Sequence, residues 1–305
     1  MPALPALRCP KKCSRFALLH FFDRCGNSGL ASSATGGASP QFPFRGAYKE
    51  GLLYMKEEIS WREYWDLRHH PRDIIRPEYR HLLLLLYWPL ELAFFTISGR
   101  ISWEYHPIHC ALDDQIPFLE GFVIPYELWF LCGVFIVFFT LFYDVPSFRK
   151  FMWFLIVNIL IAGAVFLIYP NYFDGRPVQT PWPASIATNY AEMPRKNIFT
   201  WMLSFIYFTD PPRNAFPSEH VAVALGMVAA VLHCKKLRSR PLFAVPFILL
   251  QLVICASVCF TKQHSFLDVV GALPVVLVSY LAAYVPWKKL RRRKSAVRAE
   301  GGTSA

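Results

Sequence analysis

The stretch TKQHSFLD, residues 261–268, lies between two apolar runs, 241–260 and 266–286. A helix needs about 20 apolar residues to cross a bilayer, so each run is long enough to span a membrane. The polar stretch is therefore predicted to be a turn at the membrane surface. His264 and Asp268 are four residues apart. If the stretch begins the helix of the second run, the two side chains share one helix face, where the carboxylate can orient the imidazole.

The chain as a whole has the composition of a membrane protein. Of its 305 residues, 54% are hydrophobic, and they include 27 Phe, 14 Tyr and 9 Trp. We predict an all-α, polytopic membrane helix bundle with six transmembrane helices. The predicted spans are 81–98, 121–143, 151–169, 217–234, 241–260 and 266–286. The fourth run is rich in alanine and glycine, so we expect it to pack inside the bundle.

Positive charge is distributed unevenly along the chain. The net charge is +11, and 26 of the 32 Lys and Arg residues fall on one side of the predicted membrane. The positive-inside rule predicts that both termini lie in the cytoplasm. We expect the protein to lie in the plasma (cytoplasmic) membrane. The basic run KKLRRRK, residues 288–294, is interpreted as an anchor for anionic lipids rather than a nucleic-acid site.

The chain divides into four predicted segments. Residues 1–54 are rich in Ala, Ser, Gly and Pro, and we expect them to be disordered or dispensable. An amphipathic lead-in, 55–80, precedes the six-span catalytic domain, 81–287, and residues 288–305 form a basic cytoplasmic tail. Within the domain, the apolar segment 198–208 is too short to span, which predicts an interfacial or re-entrant helix.

Three polar stretches fall at the same, non-cytoplasmic face in this topology. They are YPNYFDGRP (169–177), NAFPSEHVA (214–222) and TKQHSFLD (261–268). Ser218 is a natural helix N-cap, and the free N–H groups that follow it, including that of Glu219, can bind an anion. Arg176 and Lys262 would supply positive charge for a phosphate.

Two histidines in these stretches suffice for covalent phosphoryl transfer. His264 is the predicted nucleophile, because Asp268 can accept its Nδ1–H and leave Nε2 unprotonated. His220 would protonate the leaving alkoxide. Taken singly, either histidine is more often a capping group, and Asp268 alone would serve as a helix cap. The combination of motifs on one face favours a catalytic site.

These motifs resemble those of the type 2 phosphatidic acid phosphatase superfamily, which includes inositolphosphorylceramide synthase-like phosphotransferases. The family pattern is Lys-x6-Arg-Pro, Pro-Ser-Gly-His and Ser-Arg-x5-His-x3-Asp on a six-helix core. The chain reads PSEH at 217–220 and SVCFTKQHSFLD at 257–268, within a resemblance that covers roughly residues 80–287. The resemblance implies a nucleophile, His264, its partner, Asp268, a general acid, His220, and two phosphate ligands, Arg176 and Ser218.

Two cations of the family pattern are missing. Tyr169 stands where the pattern has lysine, and Val258 stands where it has arginine. We expect Lys262 to restore one charge, and Arg213 or Arg195 to restore another.

Several acidic residues have open interpretations. Glu219 replaces the glycine of the pattern, and we expect its side chain to point away from the phosphate while its backbone N–H binds. Glu91 lies within the first span, where an ionisable residue is usually functional or faces the bundle interior. Asp113 and Asp114 are interpreted as a carboxylate-rich helix N-terminus in preference to a metal pair.

The motifs and the resemblance predict a metal-independent phosphatase. It would hydrolyse a lipid phosphate or diphosphate at the extracytoplasmic face through a phosphohistidine at His264, with no cofactor and no nucleic acid partner. Two alternatives stay open. A phosphotransferase of the inositolphosphorylceramide synthase type would pass the phosphoryl headgroup to a lipid alcohol, and a non-catalytic membrane protein would retain only the motif. The identity of the lipid and the oligomeric state are not specified by the sequence.

Overall fold

The computed structural model describes Tyr64, Leu67 and residues 70–76, 78–99, 101 and 104–286. This part of the chain is mostly helical, with 72% helix and 2% strand, as predicted. The predicted N-terminal segment 1–54 and tail 288–305 lie outside the described residues, as does most of the lead-in 55–80.

The elements follow one another along the chain with short connections. The α-helices of the described residues are α1 (Tyr87–Ser98), α2 (Ala111–Gln115), α3 (Val123–Tyr143), α4 (Val145–Ile168), α5 (Ile186–Glu192), α6 (Ile198–Thr209), α7 (Glu219–His233), α8 (Lys235–Arg238), α9 (Pro241–Phe260) and α10 (Phe266–Tyr284). Short 3₁₀ helices cover Pro71–Ile75, Arg80–Leu86 and Glu120–Phe122, and two short strands are β1 (His106–Pro107) and β2 (Asn171–Tyr172).

Five helical segments of the described chain are long and apolar enough to cross a membrane. They are Arg80–Ser98, Glu120–Tyr143, Val145–Ile168, Pro241–Phe260 and Phe266–Tyr284. These segments match five of the six predicted spans and indicate a multi-pass membrane protein. The remaining predicted span, 217–234, corresponds to α7, which is only 15 residues long because it begins after the N-cap Ser218 and ends before Cys234.

Helix α7 lies at the centre of the bundle. It packs against α3, α4, α9 and α10, and most of its residues are buried. A Cβ atom at Gly226 would overlap the ring of Phe154 on α4, so the glycine permits the close approach of these two helices. The fourth apolar run therefore packs inside the bundle through small residues, as its composition predicted.

Helix α6 is the predicted short apolar helix of the long outer segment. It has 12 residues, too few to span, and Asn197 caps its start in a reciprocal capping box with Thr200. Leu203 and Tyr207 are buried, whereas Trp201 is exposed on the other side. The Tyr207 hydroxyl donates to the carbonyl of Thr261 at 2.6 Å, which attaches α6 to the turn between α9 and α10.

Hydrogen bonds between loops hold one end of the bundle together. Strands β1 and β2 pair in parallel and join the segment after α1 to the segment after α4. The backbone N–H of Leu119 donates to Phe260 at the end of α9 at 3.0 Å. Lys262 in the following turn donates its ammonium to the carbonyls of Asp113 and Ile116, at 2.6 and 2.7 Å. The three polar stretches therefore lie at one end of the bundle.

Candidate active site

The turn between α9 and α10 is held by buried hydrogen bonds. Lys262 adopts a positive φ of 54°, which is uncommon for a residue with a side chain. The N–H groups of Gln263 and His264 both donate to the carbonyl of Val258. Ser265 then caps α10, and Asp268 accepts the Ser265 N–H at 2.9 Å, which completes a capping box. This local structure fixes the backbone on both sides of His264.

The imidazole of His264 is oriented by two acceptors on the same nitrogen. Its Nδ1 lies 3.1 Å from Oδ2 of Asp268 and 3.0 Å from the carbonyl oxygen of Ala215. Because a carboxylate and a carbonyl can only accept, Nδ1 must carry the proton, and in the neutral ring Nε2 keeps its lone pair. Asp268 is fully buried and His264 is 8% exposed, so water competes little for these bonds.

His220 faces the free nitrogen of His264. Its Nδ1 lies 3.4 Å from Nε2 of His264, and the two rings meet edge to face with centroids 5.6 Å apart. The ring of His220 lies between those of Tyr126 and Trp129, with centroid distances of 4.6 and 4.7 Å. The predicted nucleophile and the predicted general acid, 44 residues apart in sequence, are therefore neighbours.

Ser218 caps α7 as predicted. Its buried Oγ accepts the N–H of Val221 at 3.4 Å. Its own backbone N–H donates to the backbone carbonyl of Asp268 at 3.1 Å. This second bond joins the start of α7 to the start of α10, so the capping residue also aligns the two helices that carry the histidines.

The guanidinium of Arg176 lies beside the same turn. Its Nη2 donates to the carbonyl of Asp210 at 2.9 Å and to the side-chain oxygen of Gln263, and it lies 4.5 Å from the ring centroid of Tyr207. Burial lowers the pKa of Arg176 from its ordinary value, but a guanidinium stays charged at neutral pH. Its Nε has no hydrogen-bond partner among the described residues. Arg176 thus contacts Gln263, the residue before His264, and it lines a separate cavity from the one that holds the histidines.

The ammonium of Lys262 contacts the loop of α2. It donates to the carbonyls of Asp113 and Ile116, so it helps to hold the loop before α3. Its role as a phosphate ligand stays a prediction.

Glu219 directs its side chain toward the bundle interior. Its Oε2 accepts a hydrogen bond from the amide nitrogen of Asn158, in the middle of α4. The residue is 9% exposed and lines the same cavity as both histidines. The expectation that its side chain avoids the backbone N–H groups of the α7 start is consistent with this contact.

Two arginines were expected to replace the missing cations of the motif, and only one of them lies in the cavity with the histidines. Tyr169 is 44% exposed and Val258 is fully buried. Arg213 lines the cavity with the histidines, and its guanidinium lies over the ring of Tyr105. Arg195 forms an ion pair with a glutamate in the outer loops and does not line this cavity. Of the two arginines considered, Arg213 is therefore the one near the site.

A cavity of about 780 Å³ leads from the histidines into the bundle. Apolar side chains of α1 and α3 form most of its walls, from Trp129 near the histidines to Phe138 farther along α3. At about 1.5 Å per residue, these two positions are about 13 Å apart along the helix. The histidine pair thus stands at one end of a long apolar cavity.

Sequence analysis did not predict three contributions to this site. Gln263, which binds Arg176, stands inside the quoted motif without a predicted role. Tyr126 and Trp129 lie in an apolar span, where only their polar ring atoms distinguish them from lipid-facing aromatic residues. Asp113 was interpreted as a helix cap, and its contact with α10 requires a contact between distant parts of the chain.

Comparison with other proteins adds no assignment. No protein-family model, curated protein or solved structure matches the chain. The resemblance in motif spacing therefore stays a prediction. A functional interpretation has to rest on the histidine pair, the guanidinium of Arg176 and the apolar cavity.

Proposed function

We propose that the chain is an integral membrane phosphatase that hydrolyses a lipid phosphate through a phosphohistidine at His264. The protonation state of this histidine carries the proposal. Two acceptors, at 3.0 and 3.1 Å, hold the proton on Nδ1, and Nε2 faces His220 with its lone pair free. An oriented histidine with an unprotonated nitrogen beside a second histidine is the arrangement that nucleophilic phosphoryl transfer requires.

In the first step, the Nε2 lone pair of His264 attacks phosphorus. A P–N bond forms and the P–O bond to the lipid breaks, with its electron pair leaving on the lipid oxygen. His220 donates a proton to that oxygen, so the lipid leaves as a neutral alcohol. His264 becomes positively charged, and the buried carboxylate of Asp268 stabilises this charge.

In the second step, water replaces the lipid alcohol. His220, now unprotonated, accepts a proton from the water while the water oxygen attacks phosphorus. The P–N bond breaks, its electron pair returns to Nε2, and inorganic phosphate leaves. Because the two ring nitrogens are only 3.4 Å apart at rest, the phosphoryl group must separate the rings when the substrate enters.

Fixed positive charge and backbone donors would stabilise the transferring phosphoryl group. Arg176 has a free Nε, Arg213 lines the cavity, and the N–H groups after Ser218 begin a buried helix. Preorganised donors of this kind stabilise the charge on phosphoryl oxygens without a metal ion. A lipid substrate is favoured because the apolar cavity next to the histidines can hold a chain.

The proposed topology follows from the distribution of charge. We place α7 as a sixth, short crossing at the centre of the bundle, both termini in the cytoplasm and the histidines at the extracytoplasmic face of the plasma membrane. The support is that this topology assigns 26 of the 32 cationic residues to cytoplasmic segments.

Phosphate release from purified protein in detergent, with a chelator present, tests the proposal. The substrates are a phosphatidate, a polyprenyl diphosphate and a water-soluble phosphate ester. Release that persists in chelator and is lost in His264→Ala supports a histidine mechanism. His233→Gln is the matched control, because His233 is exposed at the opposite end of α7.

Two results would argue against hydrolysis. If phosphate appears only when an alcohol acceptor is withheld, and a phosphorylated alcohol forms when the acceptor is present, the protein is a phosphotransferase. If no substrate reacts with or without an acceptor, the chain keeps the motif without the chemistry.

A further inference from the structure

Two carboxylates share the cavity with the histidines. Glu91 lies in the middle of α1, and Glu219 is the first residue of α7, directly before His220. Both line the same cavity. Neither takes part in an ion pair within the described part of the chain. Two carboxyl groups therefore lie in the apolar cavity beside the proposed nucleophile.

Two buried acceptors beside the cavity have no donor among the described residues. Glu219 receives one hydrogen bond, from Asn158, on Oε2. Its Oε1 and the side-chain oxygen of Asn158 are buried and have no hydrogen-bond partner among the described residues. Asn158 is fully buried, and Glu219 is 91% buried given its 9% exposure. Buried acceptors without donors are unfavourable, which points to a ligand that brings donors.

Arg213, which lines the same cavity, does not supply donors to these acceptors. Arg213 donates its Nη1 to the carbonyl of Gly99 at 2.9 Å, and its guanidinium lies 4.6 Å from the ring centroid of Tyr105. These contacts hold it in the outer loops. The two glutamates consequently face the cavity without a compensating charge from it.

We propose that the substrate is a lipid phosphate with an ammonium group one or two carbons from its phosphate ester, and that Glu219 and Glu91 bind this ammonium. The proposal rests on the phosphatase function proposed above. An ammonium brings a positive charge and three donors, which match two carboxylates and an amide oxygen. Since Glu219 and His220 are consecutive residues, the bound ammonium lies within about one helical turn of the histidines, as a 2-amino phosphate ester requires.

The test compares substrates that differ only in the amine. One is a long-chain 2-amino-1-alkyl phosphate and the other is the alkyl phosphate of the same length without the amine. Phosphate release is measured in detergent with chelator for the wild type, Glu219→Gln and Glu91→Gln. We expect the wild type to prefer the amine by about tenfold or more in kcat/KM. Each glutamine variant should lose most of that preference, so that its kcat/KM values for the two substrates become similar.

The controls identify the source of any effect. Glu104→Gln removes an exposed glutamate outside the cavity and should keep the preference. Size-exclusion profiles show whether each variant is folded, and two separate glutamate variants guard against the failure of one. A phospholipid with an aminoethyl phosphate headgroup, assayed for headgroup release, distinguishes an amine on the headgroup from one on the chain.

The outcomes separate this proposal from the proposed function. Equal rates on both substrates, or a preference that survives both glutamine variants, would overturn the ammonium site while leaving a histidine-dependent phosphatase. No His264-dependent release from either substrate would overturn the phosphatase function and this proposal with it.

Discussion

The carboxylate of Asp113 accepts hydrogen bonds from the hydroxyl of Ser265 at 2.6 Å and from the N–H of Phe266 at 2.7 Å. These partners lie 152 and 153 residues further along the chain, at the start of α10. Asp113 also accepts the N–H of Cys110 at 2.8 Å, at the start of its own helix. One buried side chain thus attaches the loop between the first two spans to the last span, four residues or fewer from His264.

The pKa of Asp113 leads to a prediction about stability. Burial by itself raises this pKa, but the hydrogen bonds from Ser265, Phe266 and Cys110 outweigh burial and bring it below the ordinary value. Because the folded-state pKa is depressed, the stabilisation is present above the unfolded pKa of about 4 and is lost as the pH falls through the folded value. We expect Asp113→Asn to destabilise the protein by about 1.5–3 kcal/mol at pH 7.

Thermal unfolding in detergent at pH 7 and near pH 3 checks this prediction. The wild type should lose more stability than Asp113→Asn between the two values, since the variant has no carboxylate to protonate. Asp114→Asn is the matched control, because Asp114 is exposed and binds only His109 among the described residues. Equal losses in the wild type and Asp113→Asn would contradict the assigned role.

Asp268→Asn should reduce activity, but by less than the loss expected if His264 adopted the wrong tautomer. Removing an orienting carboxylate can lower kcat by about 10⁴-fold when the histidine adopts the wrong tautomer. Here the carbonyl of Ala215 still accepts the proton of His264 Nδ1, so the tautomer is kept and mainly the charge stabilisation is lost. We expect roughly a 10²-fold loss of kcat for Asp268→Asn, and a loss of several orders of magnitude for His264→Ala.

Steady-state kinetics on one substrate gives this comparison. Size-exclusion chromatography is needed beside it, because Asp268 also accepts the N–H of Ser265 and supports the start of α10. Equal losses for the two variants would mean that Ala215 does not maintain the tautomer.

His220→Ala should affect substrates according to their leaving group. If His220 protonates the lipid oxygen, its loss lowers the rate for an alkyl phosphate by about 10²–10⁴-fold. An aryl phosphate leaves as a stable phenolate and needs less protonation, so its loss should be at least tenfold smaller. Tyr126→Phe, which keeps the ring stacked on His220, is the control for packing. The same loss on both substrates would assign His220 to binding rather than to proton donation.

Lys262 and Arg176 should differ in their effects on phosphate affinity. Lys262→Met removes two hydrogen bonds to the α2 loop, so it should lower the melting temperature and leave the inhibition constant of inorganic phosphate within about threefold of the wild type. Arg176→Lys loses the planar fork of the guanidinium, and it should weaken phosphate inhibition by about tenfold or more. Competitive inhibition assays at constant pH measure both constants. Weaker phosphate inhibition in Lys262→Met would restore the role predicted from sequence.

Local patterns in the sequence predicted much of the site. The four-residue spacing of His264 and Asp268 at a helix start, and the capping position of Ser218 before His220, are properties of one helical turn. They carry over to the structure because a helix N-terminus imposes the same geometry on any chain. Five spans were likewise predictable from their apolar length alone.

Other parts of the site depend on contacts and backbone angles that no local pattern contains. Lys262 has a positive φ in a turn without glycine, and its ammonium binds carbonyls 149 and 146 residues away in sequence. The partners of Asp113 lie on another span. Within an apolar helix, nothing local separates Trp129, which faces His220, from Phe130, which is 56% exposed. The composition of α7 predicted that the helix is buried, but its short length is set by the residues that cap its two ends.

The bond between Asp113 and Ser265 also bears on the order in which the protein is made. A ribosome completes the loop of Asp113 about 150 residues before it reaches the start of α10. Until then the carboxylate has no partner from that helix, and His220 has no second histidine. The pair can form only after α10 has been synthesised, so a nascent chain that ends before α10 carries no assembled site.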